Sequence, residues 1–169
     1  SDLDGKHVYY TSTDSTGSTI LRKPADGSQD AEKTVSINHQ AFLKGILPDG
    51  ETAVIDGNRQ TADANIYTIA LKAGAIPTAL VNTQFNEYAA SASPNGRWLA
   101  YQSNESGRPE IYVRELVGSG GRWPISTGGG EEPRWSPDGK ELYYRVDNQL
   151  MVVPIETSSS FHAGTPTNL

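Results

Sequence analysis

The chain has 169 residues, a hydrophobic share of 36% and a formal net charge of -6, with no cysteine. Thinly spread negative charge without a basic stripe argues against nucleic acid as a partner, and the lack of thiols excludes disulfides and thiolate metal sites. No apolar run approaches the ~18 residues of a membrane-spanning helix, so insertion of this segment into a bilayer is not expected.

The 17 glycines and 10 prolines point to short strands joined by many turns. In chain order the first turn is Asp4-Gly5, followed by strand-like Val8-Tyr9-Tyr10, Thr19-Ile20-Leu21 and Thr34-Val35. This unit begins at its turn, so its innermost strand is expected to be absent. Pro48-Asp49-Gly50 opens the next repeat, with Leu43 to Leu47 before it and Ala53-Val54-Ile55, Asn65 to Ile69 and Thr78 to Leu80 after it. Pro94-Asn95-Gly96 stands between Ala90 to Ser93 and Arg97 to Gln102, then come Glu110 to Val113 and Trp123 to Ile125. Pro137-Asp138-Gly139 has Glu132 to Ser136 before it and Lys140 to Arg145, Gln149 to Ile155 and Thr165 to Leu169 behind it.

The turn glycines are 45, 46 and 43 residues apart, as positions 5, 50, 96 and 139 give. Asp-Gly and Asn-Gly are tight-turn dipeptides, because glycine adopts positive φ freely and Asp or Asn bonds its own backbone. A turn and four strands every ~40–45 residues is the blade length of a β-propeller. Two columns support the register: Val8, Ala53, Leu99 and Leu142 lie three residues after the turn glycine, and Tyr10, Ile55, Tyr101 and Tyr144 five after it. Residues two apart share a strand face, so these columns are expected to fill the space between blades. The fold expected is all-β, a partial β-propeller over 1–169 with blades at 1–36, 37–81, 82–126 and 127–169.

The sole methionine is Met151, so the chain is expected to be a domain or processed part of something longer. Three full blades plus three strands leave open apolar faces, which predicts either further blades or self-association.

Ser136-Pro137-Asp138-Gly139-Lys140 and Ser93-Pro94-Asn95-Gly96-Arg97, with the Tyr101 to Val113 hairpin, resemble the WD40-like repeat of the TolB type. The resemblance covers about residues 88 to 157 and departs in the first half, where Leu47 replaces the turn serine. Gly128 to Trp135 through Met151 to Ile155 also looks like the closing blades of propellers attached to bacterial eukaryotic-type serine/threonine kinases and membrane-bound regulators. The likeness implies a sensor or interaction region and favours an extracytoplasmic, periplasmic setting. The kinase motifs themselves are not in this chain.

Chemistry-bearing residues are sparse. His7, His39 and His162 occupy non-equivalent positions in separate repeats, without metal-ligand spacing, and no Gly-x-Ser-x-Gly elbow occurs. No catalytic residue, metal or cofactor is therefore assigned. Asp4, Gly5, Pro48, Asp49, Gly50, Pro94, Asn95, Gly96, Pro137, Asp138 and Gly139 are read as turn scaffold. Loops around the propeller axis place Glu87, Tyr88, Asn104, Glu105, Arg108, Glu131 and Glu132 on a polar rim suited to a protein or peptide. The function expected is a non-catalytic binding or sensor module. The alternative is the propeller of a larger enzyme, of the prolyl oligopeptidase or polysaccharide lyase type.

Overall fold

A computed structural model describes residues 5–57, 64–118, 121–158 and 160–169, and every regular element among them is a β-strand. Two compact units, Ser1–Gln84 and Phe85–Leu169, are each built from two antiparallel sheets.

In the first unit, β1 (His7–Thr13), β2 (Ser18–Pro24) and β3 (Glu32–Ile37) form a three-stranded sheet in that order. Next, β4 (Ala41–Ile46), β5 (Thr52–Gly57), β6 (Ile66–Ala70) and β7 (Thr78–Val81) form a four-stranded meander. Ile20, Val35 and Ile37 of one sheet bury against Ala53, Ile55 and Ile69 of the other, with Tyr9 packed at the margin.

The second unit repeats the scheme. β8 (Glu87–Ala92), β9 (Trp98–Ser103), β10 (Glu110–Glu115) and β11 (Arg122–Pro124) make one sheet; β12 (Glu131–Trp135), β13 (Glu141–Val146) and β14 (Gln149–Glu156) make the other. Two short strands, β15 (His162–Ala163) and β16 (Thr167–Asn168), both pair with β14. Ala100, Ile111 and Val113 face Leu142, Tyr144 and Val153 across the core. Trp98 closes one end, edge-on to Trp123 at 5.4 Å and tilted against Phe161 at 5.0 Å.

The turns show why the repeat phrase recurs. Gly50, Gly96 and Gly139 have φ of 70°, 67° and 72°, left-handed values that glycine adopts without strain. Their amides donate to the carbonyls of Leu47, Ser93 and Ser136 at 2.9, 2.8 and 3.0 Å. In the last two turns the serine hydroxyl donates to Asn95 or Asp138 at 2.7 Å and accepts the amide of Trp98 or Glu141. Where Leu47 replaces that serine, Asp49 takes over, accepting the Glu51 and Thr52 amides at 2.9 Å and the Thr52 hydroxyl at 2.7 Å. Gly5 has a matching φ of 70°, while Asp4 lies outside the described residues.

The packing columns hold in three repeats and break in the first. Ala53, Leu99 and Leu142 are fully buried and Ile55, Tyr101 and Tyr144 are at most 3% exposed, whereas Val8 and Tyr10 are 44% and 42% exposed. Strand alternation places Val8 and Tyr10 on the face of β1 opposite to Tyr9, which faces the core of its unit.

Candidate binding groove

Each inner strand, β4, β8 and β12, carries a bulge at the same place, between Leu43 and Gly45, Tyr88 and Ser91, and Glu131 and Arg134. A bulge bends the strand and re-aims its side chains, and such bends concentrate near functional sites. In the second unit the bulges hold non-glycine residues at left-handed φ, 54° at Ala89 and 55° at Glu132, a conformation that surrounding structure must enforce. Opposite the bulges, the residue six after each turn glycine is polar: Asp56 faces Phe42, Gln102 faces Tyr88, and Arg145 faces Glu131. The packing columns three and five residues after the turn glycine are apolar in every repeat, whereas this column is polar throughout and differs in chemistry from one repeat to the next.

In the second unit these positions form a network. The Gln102 amide nitrogen donates to the Tyr88 hydroxyl at 2.8 Å, and its oxygen accepts the Glu132 amide at 3.4 Å. The Arg145 guanidinium donates to Glu131 at 2.6 Å and to the Asp147 carbonyl at 2.9 Å, and its Nε lies 3.7 Å from Glu132. A groove of about 260 Å³ runs beside it, lined by Arg108, the Gly128-Gly129-Gly130 run, Glu131 and Arg145. Arg108 is fixed by Glu110 at 2.9 Å and by the Thr127 carbonyl. Glu110 is itself only 3% exposed and also accepts the Ser126 hydroxyl and the Gly129 amide. The floor is therefore rigid, while the guanidinium side chains of Arg108 and Arg145 are 57% and 46% exposed.

The seven residues expected on a rim thus separate. Tyr88, Arg108, Glu131 and Glu132 belong to the network or the groove. Glu87 differs from that expectation, being 1% exposed beside the Ser103 hydroxyl. Asn104 is used locally, its side-chain oxygen accepting the Asn86 amide at 2.9 Å. Glu105 is clamped by two nitrogens of Arg122, whose guanidinium sits 4.5 Å above the Tyr112 ring. The Glu105 hydrogen bonds hold Arg122 above its usual range, so both charges are spent on each other. Gln102, Arg145 and the glycine run were not assigned to the rim from the sequence. The signal was present in the variable sixth column after the turn glycine.

A second groove, about 390 Å³, lies in the first unit along Arg22, Glu32, Glu51 and Lys72, where Arg22 and Glu32 are paired. Among the described residues no group of three or more His, Asp or Glu is placed to hold a metal ion.

No model of a known protein family matches the chain. Solved structures do. A protein described as a TolB from Agrobacterium tumefaciens superposes with a TM-score of 0.76 over 99% of this chain, at 19% identity. The fold is that of a TolB-like β-propeller. TolB from Acinetobacter baumannii matches over 98% of the chain with a TM-score of 0.63 and 20% identity. A gluconolactonase from Xanthomonas campestris matches over 98% with a TM-score of 0.61 and 14% identity, covering 60% of that chain. The chain spans 62% of the first TolB structure and 42% of the second. At these identities the likeness establishes the propeller architecture, which TolB proteins and propeller enzymes share.

Proposed function

We propose that the chain is a non-catalytic recognition module whose second unit binds an extended peptide or protein segment along the groove at Arg108, Glu131 and Arg145. The observation that carries this reading is the pair of half-exposed guanidinium groups on a rigid, bulged floor, alternating with the carboxylates Glu131 and Glu132. Alternating charge of that kind discriminates among polar side chains and backbone carbonyls, and arginine is enriched at binding hot spots. An extracytoplasmic sensor role, as the TolB-type and kinase-linked resemblances imply, belongs to the same proposal.

Selection from a displayed library of twelve-residue peptides would test it, with calorimetry on the enriched sequences. Peptides that bind the parent and lose about tenfold or more in affinity to R108A/E131A/E132A, with the native circular dichroism spectrum of that variant retained, support the assignment. Enriched peptides indifferent to that variant would place recognition elsewhere. The gluconolactonase likeness supports a second reading, the propeller part of a larger enzyme. Lactone hydrolysis that survives purification and R108A/E131A/E132A substitution would favour that reading and remove the groove from it.

A further inference from the structure

The charges lining the groove of the second unit do not balance, and the excess has one sign. Arg108 donates through Nε to Glu110 at 2.9 Å, and because the Glu110 side chain is only 4% exposed, water and salt screen this pair weakly. The Arg145 guanidinium donates to Glu131 at 2.6 Å and to the main-chain carbonyl of Asp147 at 2.9 Å. Each guanidinium thus has a carboxylate of its own. Glu132 and Asp147 are left over: the Glu132 side chain is 52% exposed and reaches Arg145 only at 3.7 Å, and Asp147 is an exposed lining residue at the turn between β13 and β14. Two cations therefore stand against four carboxylates around one concave surface, whose walls focus the field of the excess. The floor contributes no side chain at Gly128, where an added Cβ would meet nothing within 4 Å.

We infer, on the peptide-binding reading of this groove, that its ligand is basic: a segment that brings the cation of a lysine, an arginine or a free amino terminus to Glu132 and Asp147. Arg108 and Arg145 serve such a segment as hydrogen-bond donors to main-chain carbonyls, because their charges are already compensated. An acidic side chain in the same place would compete with Glu110 or Glu131 for a guanidinium and would face Glu132 and Asp147 as like charges, an arrangement that excludes wrong partners. A ligand cation meets the opposite situation, since it supplies the counter-charge that these two carboxylates lack. The open space above Gly128 lets the main chain of the ligand lie against the floor.

Fluorescence anisotropy with labelled, end-blocked dodecapeptides, in which serine alternates with lysine, glutamine or glutamate, tests this on the whole chain. At about 50 mM salt the lysine peptide should bind about tenfold or more tightly than the glutamine peptide, with the glutamate peptide weakest, and the preference should shrink at about 500 mM salt. A glutamine peptide with a free amino terminus that matches the lysine peptide would identify the terminus as the favoured source of the cation. E132Q/D147N should abolish the preference, which separates the groove from the overall negative charge of the chain. Gly128→Lys should narrow it about tenfold and Gly128→Glu should widen it, opposite effects that altered folding alone does not produce. Circular dichroism verifies the fold of each variant. No measurable binding of the lysine peptide, equal affinity for the lysine and glutamine peptides, a lysine preference that survives E132Q/D147N, or Gly128 variants that shift it alike would overturn the inference. Peptides without charge preference that still lose affinity to R108A/E131A/E132A overturn only the ligand's charge, whereas indifference to that triple substitution overturns the groove as well.

Discussion

The indole Nε1 of Trp135 donates to the main-chain carbonyl of Ser91 at 3.0 Å, joining the inner strands β12 and β8 across 44 residues of sequence. Trp135 is only half-buried and packs at the margin of its unit's core, so its polar edge ties the two sheets together while its ring covers apolar surface. Trp135→Phe keeps most of the ring and removes the donor. The expected cost is about 1 kcal/mol, or about 2–4 °C in melting temperature, read by calorimetry.

The three consecutive glycines of the groove floor are not equivalent. A Cβ at Gly130 would fall 2.6 Å from the Ser126 hydroxyl and 2.7 Å from Ile111 Cγ1, in buried surroundings, whereas one at Gly128 would meet nothing within 4 Å. Gly130→Ala should cost about 1–3 kcal/mol through overpacking. Gly128→Ala should stay within about 0.5 kcal/mol, and chemical denaturation of the two variants distinguishes them.

Acid sensitivity should originate partly in the turns. The Ser136 hydroxyl and the Lys140 amide hold the Asp138 carboxyl below its ordinary range. At Asp49, burial opposes ionisation, but the bonds from Thr52 and Glu51 outweigh it and the net shift is also downward. A lowered folded value means stability that is complete above the unfolded value of about 3.9 and is lost as pH falls through the folded one. Melting temperature should therefore decline below about pH 4, and D49A/D138A should have a shallower pH dependence over that interval.

The Lys44 ammonium lies 3.1 Å from the Asp56 carboxylate, whose side chain is 1% exposed. Lys44→Met would remove this cation from beside a buried carboxylate, a change that costs up to about 3–5 kcal/mol in comparable sites. Asp56→Asn in the same molecule should restore much of the loss. A double-mutant cycle by urea denaturation measures the coupling.

Much of the architecture is legible before folding because it is local. Glycine at positive φ, an Asp or Asn that bonds its own backbone and strands of alternating burial act within a few residues, and their 43–46-residue recurrence in the sequence identifies blades. The roles of Pro94-Asn95-Gly96 and Pro137-Asp138-Gly139 follow from that, and so does the want of spare chemistry in them. The rim is different, since its members lie on separate strands. Glu87 and Glu131 looked alike as acidic residues before a turn, yet one is buried beside Ser103 and the other faces Arg145 in the groove.

Sequence by itself thus determined the repeat, its turns and which columns are apolar, because each is set by backbone conformation and strand period. Only the tertiary structure decided that Val8, Tyr10 and Leu150 are exposed while their counterparts are buried, and that Arg108 and Arg145 share one groove. Burial and side-chain proximity depend on which sheet lies against which, and the repeat pattern states that identically for every blade.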